Sequence, residues 1–254
     1  MEERIGAIKE AFRMAQEKEL KDLIAAYEGD ERRGVQTLIN SAKKRLLAHE
    51  KELERLKRMK VYEEQYAQAG FICGIDEAGR GPLAGPVVAG AVILPKDCDI
   101  LYLNDSKQLS EKKREELYTR IMDEAVATGI GYASPERIDE INILQATYEA
   151  MREAVAKLSV EPDLLLNDAV TIPGVSVKQI PIVKGDAKSV SIAAASIIAK
   201  VTRDRLMAEY DRVFPEYGFA SHKGYGSEAH IAALKKYGPT PIHRRSFIGN
   251  FVEG

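Results

Sequence analysis

The sequence predicts an α/β fold in which a mixed sheet is flanked by helices, preceded by a helical N-terminal extension. From Phe71 onwards, short apolar runs alternate with amphipathic stretches of helical period, which is typical of a sheet covered by helices. Residues 1–68, in contrast, are rich in Lys and Glu, contain no proline and place apolar residues at helical spacing. We therefore expect a helical extension over residues 1–68 and a larger domain over residues 69–254, long enough to bury its own core.

The N-terminal extension is predicted to form two or three helices. Glycine interrupts its apolar pattern near Gly29-Asp30 and at Gly34. Between Arg32 and Lys60 there are ten Lys and Arg against three Glu, the one strong charge asymmetry in the chain. This excess suits either a solvated helical face or a face that contacts nucleic acid, and the sequence leaves both open. The apolar positions at helical spacing are Ile5, Ile8, Phe12, Leu46, Leu53 and Leu56.

The larger domain is predicted to contain five strands and several helices. The strands are short apolar runs bounded by Gly, Pro or acidic residues, whereas the helices are longer amphipathic runs. Pro135 suits the first turn of a long helix. The strands are expected at residues 72–75, 87–94, 129–133, 163–168 and 179–183, and the helices at residues 111–128, 135–158, 189–213 and 227–237.

Composition narrows the possible classes of protein. With 37 Lys and Arg against 39 Asp and Glu, the net charge gives no indication of a nucleic-acid partner. The two cysteines, Cys73 and Cys98, have no partner at zinc spacing, which argues against a zinc site or a disulfide framework and fits a reducing compartment. No apolar run reaches about 18 residues, and the charged start is unlike a secretion signal. We expect a cytoplasmic protein with no membrane segment.

Two adjacent carboxylates, Asp76 and Glu77, end the first apolar run and precede the turn Gly79-Arg80-Gly81. Carboxylates where a buried strand meets a loop can share a divalent cation such as Mg²⁺ or Mn²⁺. The glycines of the turn let a polar group approach the main chain closely. A solvated loop would account for the same pair of acids, so the pair on its own does not decide between these readings.

Two further acids follow apolar runs in the same way. Asp168 ends the run that begins at Asp163, and Asp186 follows the next run. If these strands are neighbours in the sheet, their carboxylates converge with Asp76 at one sheet edge, where open α/β folds commonly bind ligands. Alternatively, Asp168 begins a turn and Asp186 caps the following helix. Spacing along the chain does not choose between a shared site and separate structural roles.

Several motifs then occur in order between about residue 70 and residue 248. Together they resemble ribonuclease HII of bacterial type. The resemblance implies a ribonuclease H-like fold and a metal-dependent endonuclease. It further implies hydrolysis of the RNA strand of RNA–DNA hybrids and incision 5′ of ribonucleotides embedded in duplex DNA, leaving 3′-hydroxyl and 5′-phosphate ends. The motifs are DEAGRGPLAGP at 76–86, DSK at 105–107, IDEINI at 138–143, KGD at 184–186, AASIIAKVTRD at 194–204, HKGYG at 222–226 and the segment from 237 to 247.

The resemblance also implies roles for individual residues. The metal-binding and catalytic carboxylates would be Asp76, Glu77, Asp168 and Asp186. We assign Asp76 to bridge two ions, Glu77 and Asp168 to complete the first metal site and Asp186 to complete the second, with Mg²⁺ or Mn²⁺ as the metal.

The substrate contacts are expected next to the acids. The backbone of Gly79, Arg80 and Gly81 would grip the ribonucleotide, because the 2′-hydroxyl distinguishes RNA from DNA. Tyr225 would pack against the sugar of the following nucleotide. Cations near the helix that starts at Ser189, together with one in the Asp-Ser-Lys turn, would contact phosphates. These cations are Lys107, Lys184, Lys188, Lys200 and Arg203.

Some features depart from the family pattern or lie outside it. Ala169 follows the third acid where many relatives have glycine, and polar Asn167 precedes it where an apolar residue is more usual. His222, His230 and His243 show no His-x₃-His spacing, so we do not expect them to bind metal. The chain is expected to be monomeric, and the sequence indicates no replication or repair protein as a partner.

Two competing interpretations remain. The first is ribonuclease HIII, which shares the core of the fold. Its family pattern is different, because it has a β-rich N-terminal platform and Glu as its fourth acid. A non-catalytic hybrid-binding protein could use the basic region between Arg32 and Lys60. Four clustered carboxylates speak against that second possibility, because they would repel nucleic acid unless metal ions neutralised them.

Overall fold

The computed structural model describes residues 3–252, which form two compact units divided between Arg58 and Met59. The first unit is helical, as predicted, and contains α1 (Ile5–Met14), α2 (Glu17–Tyr27) and most of α3 (Arg33–Met59). Its core is formed by the apolar faces that the periodicity indicated, with Ile8, Leu20 and Ile39 buried together.

One predicted break in this unit is misplaced. Gly34 lies in the first turn of α3 and does not interrupt a helix. The unpredicted break falls between α1 and α2, where Gln16 and Glu19 form a capping box that satisfies the first N–H groups of α2. Glycine near a helix start is tolerated, so its presence did not mark the boundary.

The second unit contains the five predicted strands and seven further helices among the described residues. Short 3₁₀ turns at Ala67–Ala69, Ser106–Gln108, Gly185–Ala187 and Pro215–Tyr217 connect them. The strands are β1 (Ile72–Ala78), β2 (Val87–Ile93), β3 (Ala127–Ala133), β4 (Leu164–Asp168) and β5 (Lys178–Ile182). The helices are α4 (Val61–Gln65), α5 (Glu111–Glu124), α6 (Pro135–Ala156), α7 (Val190–Val213), α8 (Phe219–His222), α9 (Glu228–Tyr237) and α10 (Arg245–Val252).

The strands form one mixed sheet in the order β3-β2-β1-β4-β5. The first three strands pair antiparallel, whereas β4 and β5 continue the sheet parallel to β1. In the parallel pair, Ile75 lies opposite Asn167, so Asp76 and Asp168 occupy the next position on adjacent strands. This register places the two acids side by side at one edge of the sheet.

Helices α7 and α6 cover opposite faces of the sheet, and glycines in the strands let them approach closely. A Cβ at Gly90 would lie 2.5 Å from the carbonyl oxygen of Ala195 in α7. On the other face, a Cβ at Gly131 would lie 1.9 Å from the carbonyl oxygen of Ala150 in α6. These strand glycines therefore set the distance between the sheet and each helix.

Several element boundaries differ from those predicted. Strand β1 continues to Ala78, so Asp76 and Glu77 lie within the strand and not in a loop after it. Helix α5 ends at Glu124 and β3 begins at Ala127, because β3 pairs with β2 along its whole length. Helix α10 was not predicted. None of the described helices is long and apolar enough to cross a membrane.

The long helix that starts at Pro135 is kinked. Asn142 has φ 68° and ψ 163°, which is not helical, and it divides α6 into two segments. Its side-chain oxygen accepts hydrogen bonds from the backbone N–H groups of Leu144 and Gln145. Asn142 thus acts as the N-cap of the second segment, which explains why the helix bends there.

Candidate active site

Three acidic residues from separate parts of the chain meet at one sheet edge. Asp76 lies in β1, Asp168 at the end of β4 and Asp186 in the 3₁₀ turn after β5. Each offers a carboxylate oxygen, and these oxygens all lie within 4.8 Å of one another. Asp76 and Asp186 are buried, with 4% and 7% of their surface exposed. The convergence that the sequence left open is therefore present in the fold.

Local backbone geometry brings Asp186 to the other acids. The carboxylate of Asp168 accepts a hydrogen bond of 2.7 Å from the backbone N–H of Gly185. Lys184 adopts a left-handed conformation, with φ 56°, which turns the chain back towards β4. Ala169 also has a positive φ of 57°, and its N–H donates to the carbonyl of Ile182. Glycine takes this conformation without strain, so a glycine would suit this position better than the alanine that is present.

Burial and the charges of neighbouring acids raise the pKa values of Asp76 and Asp186. The pKa of Asp76 is raised first by burial and then by the charges of Glu77 and Asp168. The pKa of Asp186 is raised by burial and then by Asp105 and Asp168. A cation at the centre of the cluster would relieve both effects. Since the cluster offers carboxylate oxygens, the hard ligands of Mg²⁺ and Mn²⁺, its chemistry fits a divalent metal.

Glu77 borders this cluster from the position after Asp76 in β1. Side chains alternate along a strand, so Glu77 and Asp76 leave the backbone in opposite directions. Its carboxylate lies 3.3 Å from the guanidinium of Arg80. Burial raises the pKa of Glu77, Arg80 lowers it and the charge of Asp168 raises it. Glu77 therefore senses the charge of the cluster although it is not one of the three acids whose oxygens lie within 4.8 Å.

Lys107 supplies positive charge to the acids. Burial lowers its pKa, but the charges of Asp105, Asp76 and Asp186 outweigh burial, and the net effect raises the pKa. The 3₁₀ turn that carries Lys107 is capped by Asp105, whose side chain accepts from the backbone N–H of Lys107 at 2.9 Å. This turn fixes the backbone of Lys107 close to the cluster.

Hydrogen bonds from the side chain of Arg244 hold the Gly79-Arg80-Gly81 turn. The Arg244 guanidinium is fully buried and donates to the carbonyl oxygens of Gly79, Arg80 and Gly85. In a trans peptide the C=O of one residue and the N–H of the next point in opposite directions. The N–H groups of Arg80 and Gly81 therefore point away from Arg244, and neither has a hydrogen-bond acceptor among the residues that the structure describes.

Tyr225 lies next to this turn. A Cβ at Gly81 would be 3.8 Å from the Tyr225 ring, so the ring stands over the glycine. Tyr225 is 46% exposed. The backbone N–H of Leu83 donates to the carbonyl of Gly224 at 2.9 Å, which ties the two segments together. An exposed aromatic ring and free backbone N–H groups thus share one surface beside the acids.

Comparison with known proteins identifies the family. A model described as ribonuclease HII matches residues 73–250, and one described as ribonuclease HII N-terminal domain matches residues 4–67. The chain belongs to the ribonuclease HII family. Its members are endoribonucleases, and the bacterial type that the motifs indicated is confirmed. The second match covers the predicted extension, for which the resemblance suggested no family relationship.

Relatives of known name support this assignment over most of their length. A ribonuclease HII of Lachnoclostridium phytofermentans is 66% identical over 226 residues, covering 89% of each chain. A ribonuclease HII of Clostridioides difficile is 53% identical over 250 residues, covering 98% of each. The solved ribonuclease H2 of Pyrococcus horikoshii is 32% identical with a TM-score of 0.59, covering 69% of this chain and 93% of that one. The ribonuclease H-like fold is thereby confirmed.

Within this ribonuclease HII, the predicted cations occupy different environments. Lys200 is ion-paired with Asp204 at 2.7 Å, and burial lowers its pKa. Lys188 donates to the carbonyl of Val183, and Lys184 shapes the turn before Asp186 through its left-handed backbone. The charges of Asp76, Asp168 and Asp186 act on Lys107 and contribute to the raised pKa of its ammonium.

Arg203 is buried inside the protein. A residue that contacts a phosphate was expected to face solvent. It is 1% exposed, and it donates to the carbonyl oxygens of Ala84, Pro86 and Lys223. Burial lowers its pKa to about 10. The structure therefore corrects the expectation for this residue, since its donors face backbone carbonyls inside the protein.

Sequence reasoning assigned no role to Arg244 or Asp105. Arg244 hydrogen-bonds to Gly79, which is 165 residues away in the sequence. A periodic pattern in the sequence does not predict such a long-range contact. Asp105 belongs to a quoted family motif, DSK at 105–107, which was the available signal for its position near Asp186. The same motif contributes Ser106, whose hydroxyl lies 2.9 Å from that of Ser196 in α7.

Proposed function

We propose that this ribonuclease HII is a divalent-metal-dependent endonuclease that cuts the RNA strand of RNA–DNA hybrids. It also incises duplex DNA on the 5′ side of an embedded ribonucleotide and leaves 3′-hydroxyl and 5′-phosphate ends. The observation that carries the proposal is the cluster of Asp76, Asp168 and Asp186 beside a backbone turn with outward N–H groups. The acid cluster can hold metal ions, and the adjacent turn can recognise a sugar hydroxyl.

The acids are proposed to hold two Mg²⁺ or Mn²⁺ ions. When bound, such ions supply a nucleophilic water and stabilise charge on the attacking and leaving oxygens of a phosphodiester. We assign Asp76 to serve both ions, because it is next to Glu77 in β1 and lies beside Asp168 on the adjacent strand. We assign Glu77 and Asp168 to complete one metal site and Asp186 to complete the second.

The cation at Lys107 is proposed to bind the phosphate next to the acids. Its ammonium is influenced by Asp76, Asp168 and Asp186, so a phosphate drawn to the acids by metal ions would lie within its field. The capped turn fixes the backbone of Lys107 before the substrate arrives, which lowers the cost of ordering this residue on binding. Lys184, Lys188 and Lys200 are retained as weaker candidates for more distant phosphates.

Recognition of RNA is proposed to reside in the glycine turn. The carbonyl groups of Gly79 and Arg80 are occupied by Arg244, which leaves the following N–H groups directed outwards. Such groups can donate to a 2′-hydroxyl or to the adjacent phosphate, and a side chain at either glycine would hinder that approach. Tyr225 stands over Gly81 and is proposed to pack on the sugar of the next nucleotide, where a deoxyribose face is less crowded than a ribose face.

A defined substrate tests this function. A DNA duplex with a single ribonucleotide, a matched all-DNA duplex and a long RNA–DNA hybrid would be incubated with the protein and Mg²⁺ or Mn²⁺. We expect cleavage 5′ of the ribonucleotide and within the hybrid, with no cleavage of all-DNA. Asp76→Asn should lower turnover by orders of magnitude, whereas Asp123→Asn, on the exposed face of α5, should not change it. Full activity of Asp76→Asn would refute the proposed metal site.

A further inference from the structure

Three histidines form a cluster that the proposed chemistry does not use. His230 and His243 are 0% and 2% exposed, and His222 stacks on His230 with ring centroids 4.6 Å apart. The Nε2 atoms of His230 and His243 are 3.0 Å apart. These residues come from α8, α9 and the segment before α10, so the cluster joins three pieces of the C-terminal region.

The hydrogen bonds of the cluster define which ring nitrogens carry protons. The backbone N–H of Thr240 donates to Nδ1 of His243 at 2.9 Å, so this nitrogen carries no hydrogen. Neutral His243 therefore has its proton on Nε2 and donates to Nε2 of His230. His230 must then carry its own proton on Nδ1, which lies 2.8 Å from the carbonyl oxygen of Tyr225. The chain of donors runs in one direction, from Thr240 to Tyr225.

Every ring nitrogen of the cluster has a protein partner. Nδ1 of His222 accepts from the backbone N–H of Gly224 at 3.2 Å, and its Nε2 donates to the carbonyl of Tyr217 at 2.7 Å. No ring nitrogen in this trio is thus free to bind a metal ion. The cluster has a different consequence, because two of its three members hold the backbone on either side of Tyr225.

The backbone at Tyr225 is fixed while its ring is left exposed. The carbonyl of Tyr225 accepts from Nδ1 of His230 and from the backbone N–H of Ser227, both at 2.8 Å, and the N–H of Tyr225 donates to the carbonyl of His222 at 3.0 Å. The ring itself stands over Gly81, and the residue is 46% exposed. Since Cβ leaves the backbone in a direction set by the peptide geometry, a rotation of this peptide would swing the ring across the glycine turn.

We propose that His243 is a positioning residue that acts through His230 to fix the Tyr225 peptide, and so sets the aim of the ring at the sugar next to the cleaved bond. This proposal rests on the proposed sugar contact of Tyr225. It makes the preference for a ribonucleotide followed by DNA depend on a buried histidine that touches neither metal nor substrate. The effect should therefore appear in substrate preference and not in turnover on every substrate.

Two substitutions at position 243 distinguish the hydrogen bond from Thr240 to His243 from the hydrogen bond between His243 and His230. The side-chain oxygen of Asn can replace Nδ1 and keep the bond from Thr240, but Asn is too short to reach His230. The amide nitrogen of Gln can replace Nε2 and keep the donation to His230. His243→Asn should therefore leave His230 less firmly oriented towards the Tyr225 carbonyl, which keeps its bond from Ser227, whereas His243→Gln should keep His230 in place, although both remove the imidazole ring.

The experiment measures kcat/KM on a duplex with one ribonucleotide and on a long hybrid, and compares their ratio. We expect His243→Asn to lower the ratio about fivefold, and His243→Gln to stay within about twofold of the unsubstituted protein. The double variant His243→Asn with Tyr225→Ala should show the ratio of Tyr225→Ala alone. A ratio is insensitive to the folded fraction, because both substrates meet the same active molecules. Equal losses on both substrates, or additive effects in the double variant, would overturn the proposal.

A second measurement separates this proposal from the role of Tyr225. If Tyr225→Ala leaves the ratio unchanged, the sugar contact is wrong and the positioning role fails with it. Ring ¹⁵N NMR then shows whether the hydrogen-bond chain itself exists, since the sequence has four histidines to assign. We expect a proton on Nδ1 of His230 and on Nε2 of both His222 and His243. The opposite tautomer at His230 would overturn the proposal whatever the kinetics show.

Discussion

The carboxylate of Asp168 and the backbone N–H of Gly185 are joined by a hydrogen bond of 2.7 Å. One proposed metal ligand thereby holds the turn that carries another, because Asp186 is the residue after Gly185. The side chain at 168 accordingly has two functions that can be separated, its charge and its hydrogen bond.

Substitution of Asp168 should distinguish these functions. Asp168→Asn keeps an oxygen for the Gly185 N–H but loses the charge, whereas Asp168→Ala loses both. We expect each variant to lose more than about 10²-fold in kcat. Only Asp168→Ala should also lower the free energy of unfolding, by about 1 kcal/mol, as measured by urea denaturation in EDTA. Equal stability of the two variants would show that the hydrogen bond does not hold the turn.

The metal-free protein should become less stable as the pH rises. Burial and neighbouring acids raise the pKa values of Asp76 and Asp186 in the folded state, so the folded protein binds more protons than the unfolded chain. Their contribution to stability is complete below about pH 4, the usual pKa of an aspartic acid, and is lost as the pH rises through the raised values. Millimolar Mg²⁺ or Mn²⁺ should remove this loss, because the ions neutralise the cluster.

Asp76→Asn tests the same electrostatic argument at a fixed pH. It removes a buried charge without changing the volume, so it should stabilise the metal-free protein at pH 8 by on the order of 1 kcal/mol. The gain should disappear at pH 4, where the unsubstituted acid is protonated. Thermal unfolding of both proteins in EDTA at the two pH values measures it. A variant that is less stable than the parent at pH 8 would contradict the proposed repulsion.

Lys107 should matter more than the other predicted lysines. Its pKa responds to the three clustered acids, whereas Lys188 donates to a backbone carbonyl. Lys107→Met should therefore lower kcat/KM by about 10²-fold, and Lys188→Met should change it less than about threefold. Steady-state cleavage of a duplex with one ribonucleotide checks both. If the two variants lose activity equally, the cations act through their general charge and not through their position.

Much of the architecture could be predicted from the sequence, because it depends on local periodicity. The five strands, the long helices and the acids that end apolar runs all follow from patterns within about ten residues. The sequence nevertheless predicts Asp76 and Glu77 at the junction of a strand with a loop, just beyond the strand, since two carboxylates inside a buried strand contradict the usual preference of charged residues for solvent. The structure keeps both in β1, where Asp76 meets Asp168.

The support of the glycine turn could not be predicted in this way. Arg203 and Arg244 are fully buried cations surrounded by backbone carbonyls from distant segments. From the sequence alone, an arginine side chain is predicted to face solvent or to contact a phosphate, because arginine is seldom buried without an acidic partner. Only the fold reveals that a loop without regular secondary structure leaves carbonyl groups that need donors. The hydrogen bonds that connect His243 through His230 to Tyr225 could not be predicted for the same reason.

The close contact of the sheet with α7 provides the last prediction. Gly90→Ala would place a Cβ 2.5 Å from the carbonyl oxygen of Ala195, so either the strand or the helix must move. Overpacking of this kind costs about 1–3 kcal/mol in the free energy of unfolding. It should also reduce activity, because Asp76 lies directly opposite Gly90 in β2 and shares its face with Ser196 of α7.

Gly6→Ala is the matched control for this substitution. Gly6 lies in α1 of the first unit, where an added Cβ meets no atom within 4 Å, so alanine should stabilise that helix by up to about 1 kcal/mol. Urea denaturation and cleavage assays of both variants test the argument together. A Gly90→Ala protein with unchanged stability would show that α7 can retreat from the sheet at no cost. If activity then fell without a change in stability, the position of Asp76 relative to α7, and not the packing energy, would be what Gly90 protects.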